Sequence, residues 1–92
     1  MQVNAPDQRH ELVLPDLGLG QTPIVASVWL VDVGASVTAG DRLLEVVAGA
    51  VTVDLPSPAS GVLTTVFVEE DEILAIGQVL AIVDAPPAQE ST

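Results

Sequence analysis

Apolar residues recur along this chain at the spacing of strands, and the 3.6-residue period of an amphipathic helix occurs nowhere. His10–Pro15 (HELVLP) alternates and stops at a proline, which predicts a first strand. Asp16–Pro23 (DLGLGQTP) has two glycines and a closing proline and predicts a loop. Ile24–Val33 (IVASVWLVDV) is the longest β-rich run, yet it is apolar on both parities, so it does not fix its own register. Gly34–Gly40 supplies turn chemistry around the single apolar Val37. Two runs follow, Leu43–Val47 and Val51–Leu55, and they predict a hairpin turning at Ala48-Gly49. Pro56 and Pro58 end that hairpin, since proline removes a ladder donor and restricts its neighbour. Val62–Val68 predicts another strand, Glu69–Glu72 (EEDE) a solvated connector, and Val79–Asp84 the last strand after Ile73–Ile76 and Gly77.

An internal repeat organises these pieces. Setting Gly40 on Gly77 fixes an offset of 37 residues, which pairs Val31 with Val68, Asp32 with Glu69, Val37 with Leu74, Leu43 with Leu80 and Val46 with Val83. Val62–Val83 therefore repeats Val25–Val46, and the hairpin tip lies in the segment that joins the two copies. A duplicated four-strand unit predicts an all-β flattened barrel or sandwich, built from two four-stranded antiparallel sheets about a pseudo-two-fold axis. The joining hairpin then falls at one end and the chain termini at the other. Met1–Arg9 reads as a disordered lead-in, residues 10–84 as the domain and Ala85–Thr92 (APPAQEST) as a Pro/Ala linker.

Composition narrows this picture. A chain of 92 residues builds one modest core, and 2% aromatic content leaves Val, Leu, Ile and Ala to fill it. The formal net charge of −11 argues against nucleic acid or an anionic membrane as partner, since both are bound through Lys and Arg. No apolar run reaches the ~18 residues of a bilayer span. The start MQVNAPDQRHE lacks the pattern of a secretory signal, so a cytoplasmic location is expected. There is no cysteine, and the two basic residues are Arg9 and Arg42, so there is no lysine either. Apart from the α-amino group, no amine can carry a cofactor through an amide or a Schiff base.

Catalytic candidates are correspondingly weak, and no catalytic residue is expected. His10 is the sole histidine and sits beside the polar lead-in. No serine lies in a Gly-x-Ser-x-Gly setting, and the consecutive acids of EEDE diverge rather than converge on a metal ion. The glycines of DLGLG lack the strand and helix context of a dinucleotide loop. Trp29 is expected at the edge of the sandwich. Val46–Val51 has no polar side chain, so the hairpin tip itself is a candidate surface for a protein partner or for self-association.

Four stretches carry a resemblance: LPDLGLG (Leu14–Gly20), VWLVDVGASVTAGDRLLEV (Val28–Val46), TVDLPSPASG (Thr52–Gly61) and GQVLAIVD (Gly77–Asp84). Together they resemble a lipoyl domain of the acyltransferase component of 2-oxo acid dehydrogenase complexes, within the biotinyl/lipoyl attachment family. In that family a hairpin presents a lysine, typically in an acidic-Thr-Asp-Lys-Ala setting, to which lipoate is joined as an amide. The arm then shuttles acyl groups between the components of the complex. Carried onto this chain, the pattern falls on Val47, Ala48, Gly49, Ala50 and Val51, with Ala50 in the lysine position. The biotinyl pattern Ala-Met-Lys-Met places its lysine there too. The resemblance thus implies a lipoate or biotin carrier, while these residues imply a non-lipoylated domain with no attached cofactor, serving assembly or binding. Two other readings stay open: a carrier domain whose lysine was replaced, and a stand-alone binding module that kept only the fold.

Overall fold

The computed structural model describes residues 8–86; the segments 1–7 and 87–92, most of the expected lead-in and linker, lie outside the described residues. Eight strands run in the order β1 (Gln8–Val13), β2 (Ile24–Trp29), β3 (Ser36–Val37), β4 (Arg42–Ala48), β5 (Val51–Pro56), β6 (Gly61–Val66), β7 (Ile73–Leu74) and β8 (Val79–Ala85). They form two four-stranded sheets, β1-β8-β6-β3 and β5-β4-β2-β7, and every pairing is antiparallel. No helix occurs among the described residues. The all-β, two-sheet architecture predicted from the repeat is the one observed.

The repeat is visible rung by rung. Shifting by 37 residues converts the pairs Val25↔Val47, Ala26↔Val46, Val28↔Glu45 and Trp29↔Leu44 of one sheet into Val62↔Asp84, Leu63↔Val83, Thr65↔Ile82 and Val66↔Ala81 of the other. Strand β1 takes the place of β5, at an offset of 43 residues rather than 37, so that Glu11↔Ile82 answers Asp54↔Glu45. Irregularities repeat as well. Ser27 and Thr64 are skipped in their ladders, and so are Leu43 and Leu80, which marks each as the extra residue of a β-bulge. The loops follow suit: Leu30 donates its N–H to the Leu43 carbonyl at 2.8 Å, and Phe67 to that of Leu80 at 2.9 Å.

The core lies between the sheets, with Leu14, Leu43, Leu44, Leu63, Leu80 and Val83 all fully enclosed. Burying both bulged leucines and the residues after them, Leu44 and Ala81, turns two consecutive side chains inward, which simple alternation would not do. Ile24–Val33, predicted as one run, is strand only to Trp29; Leu30 then leaves the β2–β4 ladder for its bond to Leu43. The hairpin also differs from expectation. Ala48 still belongs to β4, pairing with Val51, and the turn is Gly49-Ala50 rather than Ala48-Gly49. Val and Ala continue the β4 pattern without a polar break, so nothing in the side chains marked the last rung.

Two positions translate this geometry into stability. Gly34 and its counterpart Asp71 both have positive φ, +96° and +74°, and Asp71 is the one non-glycine residue to do so among the described residues. Asp71→Gly is therefore expected to raise stability by about 0.5–1 kcal/mol in urea melts, because glycine enters the left-handed region without steric cost. Conversely, a Cβ on Gly61 would stand 2.2 Å from the Asp84 carbonyl oxygen and 2.8 Å from the Ala85 Cα, both backbone atoms that cannot swing aside. Gly61→Ala should lower stability by about 2–3 kcal/mol in the same assay.

Candidate functional site

The feature that projects from the fold is the β4–β5 hairpin. Its two-residue turn places Gly49 first, at φ +61°, with Ala50 at ordinary negative φ; glycine at the first central position is the requirement of a type II′ hairpin turn. Gly49 and Ala50 are both exposed. The loop between β1 and β2 lies against this turn, since a Cβ on Gly49 would meet the Thr22 Cγ2 methyl at 3.6 Å.

Behind the apex the tip closes quickly. Ala48 is 4% exposed and Val46 1%, both within the core. Val47, on the outer face, is half-buried between its rung partners Thr52 and Val25. Val51, at 41%, is the large apolar side chain that the turn leaves exposed. Of the sequence-expected apolar tip Val46–Val51, then, the surface consists of Gly49, Ala50 and Val51.

The outer face of the hairpin is acidic. Glu45 and Asp54 stand directly opposite each other, a like-charge pair that costs stability, and Arg42 offsets it by reaching Asp54 Oδ2 at 3.8 Å. The second oxygen, Asp54 Oδ1, is enclosed with no hydrogen-bond partner. Nothing at the apex can act as nucleophile or amine: Ala50 ends in a methyl group, and no lysine occurs in the chain. Among the described residues no three His, Cys, Asp or Glu side chains converge on a possible metal position.

The remaining candidates lie elsewhere. His10 is in β1, on the same parity as buried Leu12, and takes the place that Val53 holds in the other sheet. It borders an open groove of about 830 Å³ on the outer side of the β1–β8 pair, floored by Phe67, Val79 and Ile82 and shared with Arg9, Glu11 and Val13. That groove includes none of the tip residues. Trp29 is half-buried, with its indole N–H donated to the Val68 carbonyl at 3.0 Å. All four acids of Glu69–Glu72 are exposed, and two of them serve the backbone: Glu70 accepts from the Trp29 N–H and Glu72 from the Glu69 N–H. The glycines of DLGLG form a corner in which Asp16 Oδ1 accepts the Gly18 N–H at 2.8 Å. The groove was not foreseen from the sequence. The alternation of Arg9, Glu11 and Val13 with His10 and Leu12 was its one available signal.

Known proteins bear on this hairpin. The family described as "Biotin-requiring enzyme", that of biotin and lipoyl attachment domains, matches residues 10–83. The dihydrolipoyllysine-residue acetyltransferase component of the pyruvate dehydrogenase complex of Staphylococcus aureus is 36% identical over 80 residues, covering 87% of this chain and 19% of that protein. The component of the same description from Staphylococcus epidermidis is 35% identical over 80 residues, covering 87% and 18%. The chain thus spans about a fifth of the length of the curated relatives it matches.

The turn assignment can be checked by lysine placement. Ala50→Lys is expected to change unfolding free energy by no more than about 0.5 kcal/mol, as for an exposed turn position. Ala48→Lys, which forces an ammonium toward the core, should cost more than about 2 kcal/mol. Equal effects at the two positions would contradict the turn assigned here.

Proposed function

The chain belongs to the biotin and lipoyl attachment family, and from that premise we propose that it is a member without covalent cargo, a non-lipoylated structural or protein-interaction domain. Family membership rests on the match over residues 10–83. The observation that carries the proposal is the composition of the hairpin apex. The two-residue turn Gly49-Ala50 is presented to solvent, as an attachment hairpin must be, but it offers hydrogen and methyl where an amide would need an amine.

Lipoate and biotin are held in this family through a lysine amide, and these residues do not fit that bond. Ala50 occupies the lysine position when the acidic-Thr-Asp-Lys-Ala pattern is laid on Val47–Val51, and the acidic and polar neighbours are replaced together with it. No step of acyl transfer is therefore assigned to this hairpin. What the domain retains is an exposed two-residue turn on an acidic sheet, suited to contact with another protein. The relatives are acetyltransferase components of the pyruvate dehydrogenase complex, so we assign the domain to an acyltransferase-type protein of a 2-oxo acid dehydrogenase complex. On this reading its partners are other components of such a complex, its location is cytoplasmic, and it is not catalytic by itself.

Intact-mass spectrometry of the full chain after incubation with ATP, lipoate and a lipoate–protein ligase tests the proposal, with a biotin and biotin–protein ligase arm beside it. The expected spectrum shows the unmodified mass alone in both arms. A species heavier by one lipoyl or biotinyl group would overturn it.

A further inference from the structure

Strand β1 ends its sheet, and among the described residues its outer edge pairs with nothing. An unpaired six-residue edge presents a row of free N–H and C=O groups to any strand that can align with it. We propose that this edge pairs with the β1 edge of a second copy of the chain, antiparallel and centred on His10, joining two four-stranded sheets into one of eight.

The charges on β1 are arranged for that partner. In a register centred on His10, Arg9 of each copy stands directly opposite Glu11 of the other. Both side chains are exposed and share the outer face of the sheet, so two cross-strand ion pairs form about the symmetry axis. Arg9 has no carboxylate within ion-pair distance among the described residues, although it faces Asp84 on the neighbouring strand. Its guanidinium is thus uncommitted among the described residues. With one arginine, one glutamate and one histidine, β1 is also close to neutral on a chain of net charge −11. Two copies can approach there without bringing their excess acid together.

The duplication supplies an internal comparison. Strand β5 is the counterpart of β1 and likewise ends its sheet. It carries Thr52, Val53 and Asp54 where β1 carries Arg9, His10 and Glu11. The same antiparallel register on β5 would oppose threonine to aspartate, with Glu45 behind each aspartate and the nearby Arg42 already engaged with Asp54. Pro56 further removes a donor from that strand. Self-complementarity belongs to the β1 edge.

Sedimentation velocity on the full chain at about 0.15 M salt, over a wide concentration range, tests the inference. The mass is expected to rise from 9.5 kDa toward twice that value, with the β1 amides gaining hydrogen-exchange protection in parallel. Arg9→Glu and Glu11→Arg should each weaken association about tenfold or more, and the double exchange R9E/E11R should restore it. Glu11→Arg is decisive, because it lowers the net negative charge. Simple relief of repulsion would make it associate more strongly, and that result would overturn the proposal. A chain that stays monomeric throughout, or a dimer indifferent to both single exchanges, would overturn it equally. Circular dichroism of each variant guards against unfolding, since both positions are exposed.

Discussion

Leu43 and Leu80 bend two small sheets into one molecule. Each is the extra residue of a bulge, each is wholly buried, and each offers its carbonyl to the loop leaving the adjacent strand, at Leu30 and Phe67 respectively. Because the bulge directs two successive residues inward, β4 and β8 can fill the space between the sheets without aromatic side chains. The same bend brings the start of each strand to a corner tied by reciprocal backbone bonds. Gly40 donates to the Ser57 carbonyl and Ser57 to that of Asp41; Gly77 and Leu14 repeat the exchange with Leu14 and Gln78. Other features of the fold, the exposed hairpin included, are placed by these two corners.

The duplication was legible because its markers are local. Glycine at 40 and 77 answers a backbone need, positive φ at +91° and +88°, and Val or Leu at the paired core positions answers a volume need. Both survive as residue identities. The bulges were not legible, since an extra residue in a ladder leaves no trace in apolar alternation. The hairpin turn was misplaced by one residue for a related reason: Val46, Val47, Ala48 and Val51 read equally well as strand or tip. Asp71 was within reach. The 37-residue offset puts it on Gly34, and a glycine at one copy foretells a left-handed backbone at the other.

For the site, sequence located the apex, and structure divided it into inside and outside. Ala50 could be placed from the spacing to the Pro-Ser-Pro turn, but the burial of Ala48 depends on the opposite sheet and on the loop that brings Thr22 to Gly49. The symmetry explains why the apex is exposed at all. The rung Ala48↔Val51 that closes the hairpin corresponds to Ala85↔Gln8, where the chain leaves and enters the other sheet. A two-residue link at one end of the barrel thus stands where, at the other, the chain enters the sheet at Gln8 and leaves it at Ala85. Exposure follows from topology, so the side chain carried at Ala50 is free to vary without cost to the core.

Comparing the copies separates what the fold requires from what each face is free to become. Inward positions agree in kind: Leu43 with Leu80, Val46 with Val83, Ala48 with Ala85. Outward positions do not. Arg42, Glu45 and Asp54 on the hairpin sheet become Val79, Ile82 and Glu11 on the other, so a charged face is matched by a mostly apolar groove. Two faces with the same backbone cannot differ so far for the sake of the backbone. Their divergence leaves the hairpin sheet acidic and self-repelling while the β1 edge carries balanced charge. Under the proposed function, recognition by this domain is written on the outer faces and edges of its sheets, and the hairpin contributes its position rather than its chemistry.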